Sequence, residues 1–396
     1  MNARPTLGQI LRGVIEGSCA PTLRLCPEHW KVLRALAACR TPALGGQLFY
    51  CPACQREHFV AHSCRNRHCP QCQGVQAIDW LEQQERALLP IPYFHLVFTL
   101  PHALNPLIRQ NRRTLFNLLF AAASQTLLEF GRQRLGAQIG ITALLHTWSQ
   151  TLLDHYHLHC IVSGGGLALE GSGWVHSPNY YLFPVKALSR MFRGQCLAGL
   201  KALFDERKLE FHGQLEPLAQ APEFARLLRT AGKENWVVYA KRPFAGPQQV
   251  LKYLSGYTHR VAISHRRLLG ADAHTVTFSY KDYADGARRK TMRLPVEEFV
   301  RRFCLHLLPK GFVKIRHYGL LGNRRRAERL QRVRRLLGVC APVLPETATE
   351  PVPKDSTVLE SPARPCCPYC RRPTLILLRE VPPLRYGRSL PGLDSS

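Results

Sequence analysis

The sequence predicts an α+β protein, and three observations carry that prediction. Close C-x-x-C pairs crowd the N-terminal part, as in a small metal-stabilised domain. Stretches with a two-residue period and β-branched or aromatic character recur between residues 93 and 294. Long stretches with helical periodicity separate them, chiefly 105–134 and 186–232. The 396 residues are enough for two or three domains, and a hydrophobic content of 45% is enough to bury a core.

The elements follow in order. Residues up to about 45 hold one amphipathic helix, near HWKVLRALAAC. Cys51 and Cys54 then form one knuckle, and Cys69 and Cys72 a second. Each short turn aims two thiolates at one point, so the two pairs together predict a tetrahedral zinc site. Cys39, Cys64 and His68, with His58 and His62, stand available for a second set of ligands. No carboxylate accompanies an open coordination position, so the zinc is expected to be structural. Residues 76–90 read as helix until Pro90 and Pro92 break it. YFHLVFTLP (93–101) reads as a buried strand, and GITALLHTWSQ (140–150) as another.

The second of these strands leads into HYHLHC (155–160), with histidine at every second position. On a strand, alternate side chains share a face. His155, His157 and His159 therefore point one way, and Tyr156, Leu158 and Cys160 the other. In a hairpin, His146 and Gln150 fall opposite this histidine face. Gln150 is the preferred third ligand of a metal held by His157 and His159, with His146 and His155 as alternatives.

Further on, NWVVYAKRPF (235–244) alternates like a strand. GPQQVLKYLSGY reads as a helix opened by Pro247, with Tyr253 and Tyr257 four residues apart on one face. A hairpin is expected across Ala284-Asp285-Gly286-Ala287, followed by an amphipathic helix in VEEFVRRFCLHLLP. Residues 321–340 are dense in arginine, and 341–365 have a linker's composition. In the tail, 366–396, Cys367 and Cys370 form a further knuckle, half of a zinc site that Cys366 or a distant residue would have to complete.

Composition restricts the function. The formal net charge is +27, a strong bias that points to a polyanionic partner. No apolar run approaches the ~20 residues of a membrane span. The first residues lack a signal peptide's apolar segment and cleavage site. Eight of the fifteen cysteines lie within the first 72 residues, in the close spacing of metal ligands rather than of a secreted disulfide framework. A cytoplasmic protein, associated with the nucleoid when bound to DNA, is expected.

A histidine strand, a paired-tyrosine helix and a basic, zinc-bearing chain together suit phosphodiester chemistry. A divalent metal orients the phosphate while a phenol attacks phosphorus. The sequence also resembles the rolling-circle insertion-sequence transposases of the HUH superfamily, of the IS91 type. The resemblance runs through LAACRTPALGGQLFYCPAC, HSCRNRHCPQCQ, FHLVFTLPH, LLHTWSQTLLDHYHLHCIVSGGGL, VLKYLSGYTHRVAIS and LLPKGFVKIRHYGLLGNR. Two positions depart from the family pattern: Gln47 replaces a histidine, and Gly256 a basic residue.

The resemblance implies a zinc-binding, DNA-binding domain over 1–85 and an HUH nuclease core over 90–320. That core has a central antiparallel β-sheet flanked by helices. It maps the metal ligands onto His157 and His159, and the nucleophiles onto Tyr253 and Tyr257. The activity implied is cleavage and rejoining of single-stranded transposon ends through a 5′-phosphotyrosine, with Mg²⁺ or Mn²⁺ as catalytic ion and Zn²⁺ as structural ion. Arg65, Arg67, Lys310, Lys314, Arg316, His317, Arg324, Arg325 and Arg326 are the candidate DNA contacts. A plasmid-type replication initiator or relaxase shares the same chemistry, and a catalytically silent zinc DNA-binding protein is the other alternative. No P-loop accompanies the chain, which favours the transposase over a helicase-fused initiator.

Overall fold

The structure is a computed structural model of the chain. It describes residues 4–17, 22–74, 78, 85, 88–178, 182–241, 249–250, 261–339 and 365–384. Its centre is a mixed-length antiparallel sheet. The strands are β3 (Tyr93–Thr99), β4 (Ala137–Trp148), β5 (Asp154–Ala168), β6 (Trp174–His176), β7 (Val238–Lys241) and β11 (Ile315–Gly319). Their order is β11-β4-β5-β3-β7, with β6 pairing the far end of β5. The β4–β5 hairpin is its longest pairing and sets His146 opposite His157.

Alternation along β5 divides the sheet into two faces, as expected. Tyr156, Leu158, Cys160 and Val162 enter the main hydrophobic core. Helices α4 (Arg112–Leu135), α5 (Val185–Asp205) and α6 (Ala221–Lys233) cover that face, supplying Leu119, Phe120, Phe192 and Phe224. A short helix α3 (Asn105–Gln110) precedes α4, so the helical stretch 105–134 is interrupted at Asn111. The Asn111 side chain holds that break, donating to Leu107 and Glu210 carbonyls and accepting from the Glu210 N–H. Gly164 and Gly166 leave no room for a Cβ, which would lie 2.7 Å from Pro92 O and 2.6 Å from Gln138 O respectively. The glycine run therefore lets the neighbouring backbones close on β5.

The opposite face carries the histidines. Here Tyr93, Leu144 and Ile161 form a second cluster with Val250, Leu320, Leu330 and Val333. Leu330 and Val333 come from α8 (Arg326–Leu336), the arginine-rich segment. Its apolar stripe is buried, Arg332 and Arg335 are exposed, and Arg326, Arg329 and Arg334 are half-buried.

A second unit joins the N-terminal helices to residues 262–307. The strands β8 (Leu268–Ala271), β9 (Thr275–Asp282) and β10 (Arg288–Pro295) form a three-stranded antiparallel sheet. The expected hairpin turns through Gly286 and Ala287, both at positive φ. Its buried face, with Val276 and Phe278, packs together with α7 (Val296–Cys304), α1 (Leu7–Glu16) and α2 (Pro27–Ala37). Helix α1 was not expected. Its signal is Thr6-x-x-Gln9, a capping box whose two reciprocal hydrogen bonds are both present.

The third sheet is small, with order β12-β1-β2. Strands β1 (Gly46–Cys51) and β2 (Arg56–Ala61) flank the Cys51–Cys54 knuckle, and β12 (Ile376–Val381) comes from the C-terminal tail. Among the described residues, no helix is long and apolar enough to cross a membrane.

Candidate metal centres and nucleic-acid interface

Eight cysteines form two clusters, but not in the pairing that the spacing predicts. Cys39, Cys64, Cys69 and Cys72 make one, and Cys51, Cys54, Cys367 and Cys370 the other. The two N-terminal knuckles thus serve different sites. In the first, Cys39 and Cys69 Sγ are 3.6 Å apart, Cys39 and Cys72 3.6 Å, and Cys64 and Cys72 3.7 Å. A disulfide requires ~2.05 Å. Four thiolates at ~2.3 Å from a tetrahedral zinc lie ~3.8 Å from one another, so the separations suit Zn²⁺. His68 is not a ligand. Its Nε2 accepts from the Leu308 N–H, at 3.3 Å, and burial pushes its pKa down to about 3. Gln47 is not one either, since its side chain donates to Glu380 on β12.

The histidine site lies on the open face of the central sheet. His146, His157 and His159 are all buried, and one ring nitrogen of each lies within 4.8 Å of the others. Burial pushes the His157 pKa down to about 3, so the ring is neutral near pH 7. Its Nδ1–H donates to His155 O, at 2.8 Å. Neutral imidazole has one ring proton, so His157 Nε2 carries a lone pair. That nitrogen faces His159 Nε2 at 3.1 Å.

On the other side of its ring, His159 Nδ1 meets His95 Nε2 at 2.9 Å, and the two rings stack at 5.1 Å and 11°. Burial holds His95 near pKa 4, hence neutral. A metal between the two Nε2 atoms requires the His159 proton on Nδ1, where His95 Nε2 stands at hydrogen-bond distance to accept it. In that tautomer two lone pairs face each other at 3.1 Å, an arrangement that a cation between them stabilises. The donor set therefore fits a divalent metal. His95 was missed in the sequence. It lies two residues before Val97, the partner of His159 across β3 and β5, and nothing in a lone strand histidine announces that diagonal contact.

Gln150 does not join the cluster. Strand β4 ends at Trp148, and the chain turns through Leu152 at positive φ. Gln150 sits in this turn, where its side-chain carbonyl accepts from the Lys281 N–H, at 3.4 Å, and its backbone carbonyl from Arg267. His146 takes the third position because it stands directly opposite His157. Nearby, Trp148 stacks on His146 at 4.8 Å. His155 faces the same side, and its ring packs edge-on against His102.

Tyr253 and Tyr257 lie outside the described residues. The described pair just before them, Gln249 and Val250, is helical, and Val250 is buried on the histidine face of the sheet. Tyr156, by contrast, is a core residue. Its hydroxyl donates to Asp154, whose carboxylate also accepts from Arg109, and burial raises its pKa well above the ordinary value.

Two basic features border the site. In a crevice beside Trp148, Arg67 and Lys314 converge with His68 and His306, and among the described residues no carboxylate lines it. Burial first, and then the nearby Arg67, push the Lys314 pKa down to about 8. Arg67 also donates to Phe312 O. Past Trp148 runs a groove of about 800 Å³ lined by Arg266, Lys281, Arg289, Tyr280, Tyr283 and Gln150, again without a carboxylate among the described residues.

The other basic candidates are placed differently. Arg316 donates to Asn117 and stacks over Phe120, with its guanidinium carbon 4.2 Å from the ring centroid. His317 meets Thr142 and is held near pKa 4 by burial. Arg65, Lys310, Arg324 and Arg325 are exposed. Arg326 is half-buried at the start of α8.

Comparison with known proteins agrees with this arrangement. The family model described as "Putative transposase" matches residues 140–329, and "Transposase zinc-binding domain" matches 14–100. A Sinorhizobium fredii protein named "Putative transposase y4qJ" is 44% identical over 345 residues, 87% of this chain and 87% of its own. "Transposase for insertion sequence element IS801" of Pseudomonas savastanoi pv. phaseolicola is 30% identical over 319 residues, 78% of this chain and 73% of its own. No solved structure matches the chain. The N-terminal cysteines are those of a structural zinc-binding domain, the partner is DNA, and the chain belongs to the IS91-type transposases with an N-terminal zinc-binding domain.

Proposed function

We propose that this transposase cleaves and rejoins single-stranded DNA at its element's ends by tyrosine transesterification. The observation that supports this most is the buried trio His146, His157 and His159, with one ring nitrogen of each within 4.8 Å of the others. Residues of this kind hold a divalent ion that polarises the scissile phosphate and sets it in line for attack. Three imidazoles suit Mn²⁺ better than Mg²⁺, which prefers an all-oxygen shell.

The phenol oxygen of Tyr253 or Tyr257 attacks phosphorus. The P–O bond to the 3′ oxygen breaks, and that oxygen takes a proton to become a free 3′ hydroxyl. The 5′ phosphate remains on the tyrosine as a diester, which conserves the bond for rejoining. A 3′ hydroxyl attacking that diester restores DNA and frees the phenol. The second tyrosine receives the next strand in the same way.

The strand lies along the groove from Tyr283 and Tyr280 to Trp148. Bases stack on these rings, while Lys281, Arg289 and the Arg67–Lys314 pair meet phosphates. Such backbone contacts set position more than sequence.

A covalent-adduct assay tests this reading. Purified protein and a labelled single-stranded terminal oligonucleotide of its own element are incubated with Mn²⁺ or EDTA and run on a denaturing gel. A Mn²⁺-dependent adduct that is lost in the Tyr253→Phe, Tyr257→Phe double variant is expected. Cleavage without an adduct moves the nucleophile to water and overturns the proposal.

A further inference from the structure

The second cysteine cluster is built from parts of the chain that are far apart in sequence. Cys51 Sγ lies 3.6 Å from Cys370 Sγ, and Cys54 Sγ 3.7 Å from Cys367 Sγ. These are the spacings of the first cluster, and they again match the ~3.8 Å edge of a tetrahedral zinc–thiolate site. The paired sulfurs are 319 and 313 residues apart in sequence, so chance proximity within a turn does not explain them. Neither family match reaches the tail, since they end at residues 100 and 329.

Two independent features say that this is a built site. The first is backbone geometry. Gln55 follows Cys54 at φ 53°, and Arg371 follows Cys370 at φ 60°. The first cluster repeats the pattern, with Arg40 after Cys39 and Arg65 after Cys64. A left-handed residue after the ligand lets the chain curl back around the metal, and a side chain other than glycine adopts it only when the surroundings compensate. The tail knuckle is closed by reciprocal backbone bonds, Cys367 N–H to Arg372 O and Arg371 N–H to Cys367 O, both at 2.8 Å. Thr374 places its hydroxyl 3.0 Å from Cys51 Sγ, suitably for steadying a thiolate ligand.

The second feature is the sheet. Strand β12 pairs with β1 from Gly46↔Val381 to Tyr50↔Ile376. Gly45, at φ 70°, faces the tail so closely that a Cβ would lie 2.4 Å from Val381 O. A core this small, with Cys51, Cys367 and Leu375 buried among the described residues and Phe49, Cys54 and Cys370 packed against them, cannot hold three strands by burial alone.

We infer that Cys51, Cys54, Cys367 and Cys370 bind a second structural Zn²⁺, which staples the C-terminal tail to the N-terminal zinc-binding domain. The chain thus carries two zinc ions, and the tail is a component of the N-terminal domain rather than an appendage. This site stands apart from the DNA-cleavage reading, and its test needs no catalysis.

The full chain is purified and its zinc and iron are measured after exhaustive desalting. Two zinc ions per chain are expected in the wild type, and one in Cys367→Ser, Cys370→Ser. Two zinc ions in that variant, one in the wild type, or iron in place of zinc would each overturn the assignment. Alkylation of the wild type, read by mass spectrometry, keeps the test independent of variant folding. Exposed Cys366 reacts fast, whereas Cys51, Cys54, Cys367 and Cys370 are protected and become reactive together on chelation. Tail cysteines that react as fast as Cys366 while Cys51 and Cys54 stay protected would refute the staple.

Discussion

Replacing His95 by phenylalanine separates its packing role from its hydrogen bond. The aromatic ring retains the stacking on His159, now 5.1 Å between centroids, but offers no acceptor for His159 Nδ1–H. A metal on His159 Nε2 needs the ring proton on Nδ1, and without the His95 nitrogen that proton has no acceptor there. Loss of such an outer partner typically weakens metal affinity about 10–100-fold, or about 1.4–2.7 kcal/mol. Leaving the Nδ1–H buried without an acceptor costs about 1–3 kcal/mol, which agrees in size. Titration calorimetry with Mn²⁺, without DNA, measures the effect directly. His95→Gln restores an acceptor through its amide oxygen and should recover most of the affinity. A phenylalanine variant that binds Mn²⁺ as tightly as the wild type, or a glutamine variant no better than phenylalanine, refutes this account.

Three further outcomes are expected. Tyr156→Phe should keep covalent-adduct formation and lose about 1 kcal/mol of stability in urea unfolding, because only its bond to Asp154 goes; loss of the adduct would make Tyr156 the nucleophile. Arg67→Ala and Lys314→Ala should each lower the slope of log K against log salt for single-stranded DNA by about 0.7, whereas Tyr283→Ala should weaken binding by about 1–3 kcal/mol with the slope unchanged; anisotropy titrations over a salt series distinguish the two, and equal slopes throughout would remove Arg67 and Lys314 from the interface. His306, whose pKa burial lowers from 6.5 to about 4, binds a proton in the unfolded chain before it does so folded. Stability is therefore lost as pH falls from 6.5 towards 4, by up to about 1.4 kcal/mol per unit. His306→Gln should flatten the pH dependence of urea unfolding in that window by one proton, and an unchanged slope would refute the assignment.

What the sequence made legible divides along physical lines. Local periodicity was enough for the histidine face of β5, the hairpin over 284–287 and helix α7, because each depends on neighbours in sequence. The third ligand position was not legible. Gln150 and His146 both fall on the correct face of an uninterrupted strand, and the choice turns on where β4 ends. The zinc pairing failed for a similar reason. Four cysteines in two knuckles satisfy the spacing rule equally well as one site or as halves of two. Only the return of β12 to β1, a contact across the whole chain, decides between them. Helix α1 was legible but unread, since its capping box stands plainly at Thr6 and Gln9.

The division of β5 into two faces also separates the consequences of mutation. Tyr156, Leu158 and Cys160 contribute to one large core, so changes there act on stability first. His157 and His159 lie in a buried but polar setting whose hydrogen bonds run to His155 and His95. The neutrality of His157 comes from burial, and the orientation of both rings from those partners. A variant such as His159→Gln therefore removes a candidate ligand while leaving the apolar core untouched. The strand's alternation, first visible as three histidines in HYHLHC, is thus what allows one β-strand to carry both the core and the candidate metal site without compromise between them.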